Sequence, residues 1–460
     1  MLVAALLTAC ASVNSTPSTE SIAIVGVTVI DPSSARPSVP DQTILIADGV
    51  VRAVGPSATI EIPAGARRVD GRGKFAIPGL WDAHVHFMNT GVTALPLLVA
   101  NGITSVREMG GYIDSTRAWQ ARMKAGLLVG PRIVTPGPIL ESPRYLQGVV
   151  ERSERAHSQL ALRVLPYRIS VGDSIEARRA IDSLVKLRVD FVKVRTSASP
   201  AAFFAILREA RRAGLRVAAH QQNIPIGATL DSGLTDLQHA MFLSRLSDAA
   251  RDSIFRKFVV NGAWYTPTLT VTRAAGLSGD SAAKAIFGPD AITLDERRRY
   301  ASPWLLGWWR MQVDERIGDT SSTRPAEADE AYRGSASDVH RMRELGVKIL
   351  AGTDAGSVLV YPGFALHEEL RRLVEDAQLS PRDALWSATI GPSRFARLDD
   401  RLGALSAGKI ADIVLLDADP LTNIRNTRRI FAVVQGGRLF SRADLDALLA
   451  QVRSAVAPRM

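Results

Sequence analysis

The chain has 460 residues, of which 46% are hydrophobic and 22% charged, so it is long enough to form two or three compact units around sizeable cores. Its single cysteine, Cys10, excludes a disulfide framework and a cysteine-based zinc site. The net charge of +10 comes from 48 arginines and eight lysines spread along the chain. Because there is no basic tail or aromatic-interleaved basic cluster, this charge does not indicate nucleic-acid binding.

The first residues have the composition of an export signal. Residues 1–10 read MLVAALLTAC, and the run Leu7-Thr8-Ala9-Cys10 resembles a bacterial lipobox. The resemblance implies a signal peptide cleaved before Cys10, a lipid on its thiol, and a lipoprotein of the periplasm or cell envelope. Residues 11–20, rich in Ser and Thr, predict a tether. The alternative is a plain apolar N-terminus. No other window has ~20 uninterrupted apolar residues, so this anchor is the only membrane contact that we expect.

Short β-branched runs separated by turns predict a small β domain in two pieces. The first piece covers residues 21–77, where Asp48-Gly49 favours a hairpin turn. The second covers residues 401–440, and residues 441–460 then predict a C-terminal helix that starts at Arg442 and ends at Val456. We expect these two pieces to form a split β-sandwich.

Residues 78–400 alternate between strand and helix patterns, which is typical of a parallel sheet covered by helices. Eight candidate strands follow one another, the number that a (β/α)8 barrel needs. They are LWDAHVHF, ITSVREMG, RIVTPGP, FVKVRT, RVAAH, DLQHA, WYTPTLT and KILAGTD. The predicted fold is therefore α/β, a TIM-like barrel inserted into the β-sandwich, with a helical elaboration over Leu277–Glu344 after the seventh strand.

Six residues of metal-binding or nucleophilic type lie at or near the ends of five of these strands. His84 and His86 lie two apart on a strand, so both side chains share a face. Barrel enzymes carry their catalytic groups at the carboxyl ends of the strands. We therefore expect one cluster, which consists of His84, His86, Lys193, His220, His239 and Asp354. Lys193 stands out because arginine stays protonated, whereas a buried lysine can lose its proton.

These motifs resemble those of the amidohydrolase superfamily, in the branch with imidazolonepropionase-like enzymes and Xaa-Pro and Xaa-Arg/Lys dipeptidases. The segments that carry the resemblance are PGLWDAHVHF, SVREMGG, DFVKV, VAAH, LQHA, AGTDAG and LGALSAGKIADIVLLDADPL. The resemblance implies two divalent ions, with zinc the default for nitrogen and oxygen ligands. His84, His86 and Asp354 would hold the more buried ion, and His220 and His239 the more exposed one. Lys193 would bridge them as a carbamate formed with carbon dioxide; the alternative is an ordinary strand lysine.

The implied reaction is hydrolysis of an amide by a metal-activated hydroxide, with dipeptides or N-acyl amino acids as substrates. Asp354 would accept a proton during attack and return it to the leaving nitrogen. Two alternatives stay open. One is a mononuclear hydrolase of cyclic amides or amidines, with Lys193 uncarboxylated. The other is a non-catalytic envelope lipoprotein, which would have no physical need for Asp354 beside two ions.

Substrate contacts are predicted from position alone. Relatives often place Gly and Tyr just after the last metal histidine, whereas this chain has Ala240 and Met241. Tyr265 and Tyr145 are the candidate substitutes, Arg195 is a candidate partner for a substrate carboxylate, and Gln221 a candidate hydrogen-bond donor.

Two further residues are predicted to support the site from a distance. Arg107 is expected to form a structural ion pair under the sheet, and His367, on a helix after the eighth strand, to support the metal site or the fold. The predicted partner is a small amide or peptide, and a homo-oligomer is left open.

Overall fold

The computed structural model describes residues 21–155, 159–241, 243, 246–318 and 325–457. The predicted signal, the tether and Cys10 lie outside these residues. Across the part of the chain that is described, no helix combines the length and apolar character needed to cross a bilayer.

The described strands form one mixed sheet of eight strands and two parallel sheets of seven and three strands. In chain order they are β1 (Ile22–Ile30), β2 (Ser38–Ala47), β3 (Val50–Pro56), β4 (Arg67–Asp70), β5 (Phe75–Pro78), β6 (Leu80–Val85), β7 (Ile103–Glu108), β8 (Arg132–Val134), β9 (Ile139–Glu141), β10 (Arg168–Ser170), β11 (Val192–Val194), β12 (Val217–His220), β13 (Asp236–Gln238), β14 (Trp264–Thr266), β15 (Lys348–Ile349), β16 (Ile413–Leu416), β17 (Ile430–Gln435) and β18 (Arg438–Ser441).

The helices mostly connect successive strands of the barrel. They are α1 (Phe87–Thr90), α2 (Ala94–Ala100), α3 (Ile113–Lys124), α4 (Pro143–Arg155), α5 (Ser174–Lys186), α6 (Pro200–Arg212), α7 (Ile226–Asp231), α8 (Asp248–Val260), α9 (Leu269–Ala275), α10 (Gly279–Phe287), α11 (Ala291–Leu294), α12 (Pro303–Gly318), α13 (Pro325–Glu344), α14 (Phe364–Glu375), α15 (Pro381–Ser387), α16 (Ile390–Phe395) and α17 (Arg442–Val456), with 3-10 helices at Ala161–Tyr167, Glu296–Tyr300 and Ile424–Arg428.

The eight-stranded sheet combines strands from both ends of the chain, in the order β18-β17-β16-β5-β1-β2-β3 with β4 beside β1. The predicted hairpin joins β2 to β3, and Asp48 and Gly49 both have positive φ (53° and 76°), which matches the right-handed twist of the paired strands. The sheet curls until β3 meets the segment before β16, where the Val51 amide donates to the Lys409 carbonyl at 2.8 Å. An apolar core of its own lies inside this curl.

All eight predicted barrel strands are present, as β6, β7, β8, β11, β12, β13, β14 and β15. β9 continues β8 after an interruption, because β8 pairs with β7 on one side while β9 pairs with β11 on the other. The ring closes between the first and last strands, where the Ala83 amide donates to the Ala351 carbonyl at 2.9 Å and the Asp354 amide donates to the His84 carbonyl at 2.8 Å. The predicted barrel with an added β domain is thus confirmed.

Local sequence explains where strands give way to helices. Asp173, Ser199 and Ser247 cap α5, α6 and α8, each accepting a backbone N–H of the first turn with its side chain. The seventh strand is shorter than predicted, because Pro267 has no N–H to continue the ladder and α9 starts at Leu269. The C-terminal helix runs from Arg442 to Val456 as predicted.

Candidate active site

The six predicted cluster residues meet at the carboxyl ends of the barrel strands. His84 lies in β6, Lys193 in β11, and His220 is the last residue of β12. His86, His239 and Asp354 follow β6, β13 and β15. Five of the six line one cavity of about 540 Å³, and His84 is fully buried behind its floor. Because parallel strands end at the same edge, residues far apart in sequence share this one site.

The side chains are in mutual contact. His86 Nε2 lies 3.0 Å from Asp354 Oδ1, and His84 Nε2 lies 3.4 Å from the same oxygen. The imidazole ring of His239 lies between two others, with ring centroids 4.7 Å from His84 and 4.5 Å from His220. Ligand atoms of His84, His239 and Asp354 all lie within 4.8 Å of one another, which is close enough to share a metal ion.

The donor set fits a divalent metal. Both ring nitrogens of His84 are buried and have no hydrogen-bond partner among the described residues. Unpaired buried nitrogens cost free energy unless something coordinates them. Neutral imidazoles and a carboxylate are ligands that zinc accepts. A metal ion would therefore satisfy an atom that the described protein leaves unpaired.

Burial sets the charge state of these ligands. It lowers the pKa of His84 and of His220 well below the ordinary value, and it lowers the pKa of His239 to about 3. These imidazoles are therefore neutral at neutral pH, with a lone pair free for a metal. Burial pushes the pKa of Asp354 upward, but the hydrogen bond and charge of His86 outweigh it and leave that pKa at about 2. Asp354 is thus ionised.

Two residues of the predicted cluster occupy strained backbone conformations. His239 and Asp354 have φ values of 66° and 62°, in the left-handed region that residues with a Cβ rarely adopt. Backbone hydrogen bonds hold both in place, because the His239 amide donates to the Thr266 carbonyl at 2.9 Å and the Asp354 amide to His84. Strain of this kind persists only where the surroundings enforce it, and it clusters at functional sites.

Thr268 fixes the orientation of the His239 ring. Its hydroxyl donates to the Pro267 carbonyl at 2.7 Å and lies 2.8 Å from His239 Nδ1. Since the hydroxyl proton is already committed to Pro267, the hydroxyl accepts from an Nδ1–H group. This tautomer leaves the Nε2 lone pair of His239 available to the cluster.

Lys193 is 1% exposed and ends a chain of buried polar groups. Burial lowers the pKa of its ammonium group to about 7, against the opposing charges of Asp354 and Asp236. Its Nζ donates to Gln238 Oε1, and Gln238 Nε2 donates to Asp236 Oδ2 at 3.0 Å. Asp236 in turn lies 2.8 Å from Arg107 Nη2, so Arg107 forms the predicted ion pair under the sheet.

The outer part of the cavity differs from this polar floor. One wall comes from residues 139–152 and 161–168, where Val149, Val164 and Tyr167 are buried in a small apolar core of their own. Three arginines surround the Tyr145 ring at the same wall: Arg152, Arg168 and Arg195. Helix α12 also lines the cavity, through residues that include Trp308 and Gln312. The cavity therefore has residues of metal-binding type at its floor, and arginines and apolar side chains at its mouth.

Comparisons with known proteins agree with this arrangement. The profile described as the amidohydrolase family matches residues 75–439. The chain belongs to the amidohydrolase family. Members of this family generally use divalent metal ions.

This amidohydrolase has distant relatives with named activities. It is 22% identical to an ochratoxinase from Aspergillus niger, over 87% of this chain and 83% of the relative. It is 23% identical to an imidazolonepropionase from Symbiobacterium thermophilum, over 82% of this chain and 84% of that protein. A solved structure of a Xaa-Pro dipeptidase with bound methionine in its active site has a TM-score of 0.66 at 19% identity and covers 92% of this chain and 100% of that one. This last likeness concerns the fold.

Two predictions about contacts of the amidohydrolase need correction. Tyr265 is fully buried, and its hydroxyl donates to the His239 carbonyl at 2.8 Å, so it supports a ligand's backbone and does not reach the cavity. The neighbouring Thr266 side chain bonds Asp236 inside the barrel, and alternation along β14 therefore turns Tyr265 toward the helices. His367 bonds the Thr427 hydroxyl and the Asn101 carbonyl, so of its two predicted roles the structure supports the one in the fold.

The other predicted substrate contacts had mixed outcomes. Tyr145 and Arg195 line the cavity as expected, whereas Gln221 is not among the residues that line it. The neighbouring Gln222 donates to the carbonyls of His220 and Arg195, which steadies the loop after β12.

Sequence reasoning missed Arg152, Arg168, Gln238 and Thr268. The two arginines carry no signal in a chain with 48 of them, but Gln238 stands directly before a ligand in LQHA and could have been noted.

Proposed function

We propose that this amidohydrolase hydrolyses the amide bond of dipeptides or N-acyl amino acids. The observation that carries the proposal is the pairing of two features in one cavity. Its floor holds neutral imidazoles beside the ionised Asp354, and its mouth holds guanidinium groups suited to a carboxylate. The names of the relatives support the bond type, since an ochratoxinase, an imidazolonepropionase and a Xaa-Pro dipeptidase are hydrolases of amides or peptides.

The proposed metal centre has two divalent ions, with zinc as the default. His84, His86 and Asp354 would hold the buried ion, His220 and His239 the outer one, and Lys193 would bridge them as a carbamate. When bound, the ions would supply an activated water near neutral pH and polarise the scissile carbonyl. Burial favours the neutral amine of Lys193, which is the form able to add carbon dioxide.

Asp354 is the proposed proton carrier. Its Oδ1 faces His84 and His86, and its Oδ2 accepts a hydrogen bond from the Ser357 hydroxyl at 2.9 Å. These contacts fix the carboxylate at the cavity floor. Because Asp354 is ionised, it can take a proton from the attacking water and return it to the leaving nitrogen.

Arg195 is the proposed anchor for the substrate's carboxylate. It lies two residues after Lys193, so both side chains point to the cavity. It lines the same cavity as His220 and His239, so a carboxylate bound to it would lie near the floor. An amino acid bound there would place its amide nitrogen toward Asp354.

The location remains a proposal from the sequence. The lipobox-like run before Cys10 supports an exported, lipid-anchored protein of the periplasm or cell envelope.

One experiment tests the function directly. The purified chain would be loaded with zinc, its metal content measured, and a library of dipeptides and N-acyl amino acids assayed on the same sample. We expect about two ions per chain and turnover that disappears on chelation. One ion per chain with bicarbonate-insensitive activity would favour the mononuclear alternative, and full turnover by the stripped protein would contradict the proposal.

A further inference from the structure

The mouth of the cavity contains more positive charge than one carboxylate can neutralise. The guanidinium carbons of Arg195, Arg152 and Arg168 lie 4.4, 5.6 and 6.0 Å from the centre of the Tyr145 ring. All four side chains line the cavity. We call these four residues the tyrosine–arginine cluster.

Among the described residues, the buried Glu141 is the carboxylate that forms ion pairs with these arginines, and it offsets part of their charge. Its Oε1 contacts Arg168 and lies 3.9 Å from Arg195 Nη1, while its Oε2 accepts from the Thr196 hydroxyl at 2.7 Å. Glu315 and Arg316 of helix α12 also line the cavity, and their opposite charges balance each other. Three arginines against Glu141 leave the cluster with two positive charges in excess.

Two donors in the cluster have no partner within the described ranges. Arg168 is nine-tenths buried, and its Nε has no hydrogen-bond partner. Arg152 lies on α4, and among the described residues it makes no ion pair and contacts the cluster through the Tyr145 ring. A buried guanidinium nitrogen without an acceptor is costly, so this geometry favours an anionic ligand.

We propose that the tyrosine–arginine cluster binds a second carboxylate, so that the preferred leaving residue is glutamate or aspartate. The α-carboxylate pairs with Arg195, and the side-chain carboxylate pairs with Arg152 and Arg168. Two negative charges then match the two excess positive charges. The Tyr145 ring holds the three cations apart and provides a flat face for the methylene groups of the ligand. This inference rests on the proposed amide hydrolysis and specifies its substrate.

The test uses N-acetyl-L-glutamate and N-acetyl-L-glutamine, which have nearly the same shape and differ by one negative charge. Their kcat/KM values would be measured with the zinc-loaded full chain. Their Kd values would be measured by calorimetry on the zinc-loaded Asp354→Asn variant, in which turnover does not interfere. We expect the glutamate compound to be favoured at least tenfold in both measurements.

Two variants locate the effect. Arg152→Gln should reduce the glutamate-to-glutamine preference to less than threefold. Arg144→Gln removes the same charge from an exposed position on α4 that does not line the cavity, and should keep the preference. A preference lost equally in both variants would contradict the assignment, because it would show a general charge effect.

The outcomes separate this inference from the proposed function. Equal hydrolysis of both compounds by the wild-type chain would overturn the second-carboxylate site and leave amide hydrolysis intact. Absence of turnover on every amide would overturn the proposed function, and the ratio of the two Kd values would still decide the inference.

Discussion

At the floor of the cavity, the side chains come from strands and their immediate ends; two of the six are fully or almost fully buried and the other four are partly buried. At its mouth, the side chains come from helices, a 3-10 helix, the start of β10 and the segment after β11, and Arg195 keeps 37% of its side chain exposed. The floor residues are fixed by backbone ladders and by buried partners such as Thr268 and Gln238. The mouth residues are fixed mainly by one another and by Glu141. This difference suggests that the floor sets the chemistry and the mouth sets which substrate is used.

The largest effect should come from the floor. Asp354→Asn keeps the shape but removes the proton acceptor and the charge of a proposed metal ligand, so we expect kcat/KM to fall by about 10²–10⁴ even with zinc in excess. The loss should be similar for every substrate, and it would be measured on three amides that differ in their leaving residues. Ser357→Ala, which removes one hydrogen bond to the carboxylate, should lose far less. A loss confined to one substrate would contradict the division between floor and mouth.

The buried chain beneath the floor should matter for stability. Asp236→Asn leaves the guanidinium of Arg107 without its buried counter-charge, and breaking such pairs costs about 3–5 kcal/mol. Urea unfolding of the two proteins would measure the difference. Asp182→Asn is a suitable control, since Asp182 forms an exposed ion pair 3.5 Å from Arg212. It should change the free energy of unfolding by less than about 1 kcal/mol.

Much of the floor could be predicted from the sequence, because it follows from two simple regularities. Strand ends of a parallel barrel meet at one edge, and residues two apart on a strand share a face. His84, His86, Lys193 and Arg195 obey both.

Position near a strand end does not by itself predict a substrate contact. Tyr265 lies near the end of the seventh strand, but alternation along β14 turns its side chain outward, where the hydroxyl donates to the His239 carbonyl.

The mouth could be predicted only in part: Tyr145 and Arg195 line the cavity as expected, but nothing local in the sequence indicates the two arginines that join them. Arg152 and Arg168 reach Tyr145 through a helix, a 3-10 helix and the short strand β10, which pairs with β9. No periodic pattern specifies that tertiary arrangement, and arginine is too common in this chain to indicate it. Gln238 and Thr268 are similar cases, since their roles depend on the partners that the fold brings to them.

The hydroxyl of Thr268 gives a sharper test of the floor. Thr268→Val removes the acceptor for His239 Nδ1–H at almost constant volume, and we expect metal affinity to fall about 10–100-fold. Competition with a chelating dye would measure the affinity. Thr104→Val is the matched control, because the buried Thr104 hydroxyl has no hydrogen-bond partner in the described part of the chain. Equal losses in the two variants would show that the ring of His239 is not held by this contact.

The smallest expected effect is a pH dependence of stability in the segment behind Thr268. Glu369 is fully buried and accepts the backbone amides of Leu269 and Thr270 at 2.9 and 2.7 Å. Burial raises the pKa of Glu369 from 4.5 to about 7, although these two hydrogen bonds oppose the rise. The folded chain therefore holds this proton more tightly than the unfolded chain does. Its contribution to stability is complete below about pH 4.5 and is lost as the pH rises toward 7.

The Glu369→Gln variant cannot ionise at this position, so its free energy of unfolding should lack this contribution to the pH dependence. We expect the free energy of unfolding of the wild type to fall, relative to the variant, by about 1–3 kcal/mol between these pH values. The variant also loses one acceptor, which lowers its stability at every pH and leaves the slope unaffected. Urea unfolding at a series of pH values would separate the two effects. If the free energies of unfolding of the two proteins changed in parallel with pH, the carboxyl of Glu369 would have the same pKa in the folded and unfolded states. The backbone after Thr268 would then be held by packing and not by a buried acid.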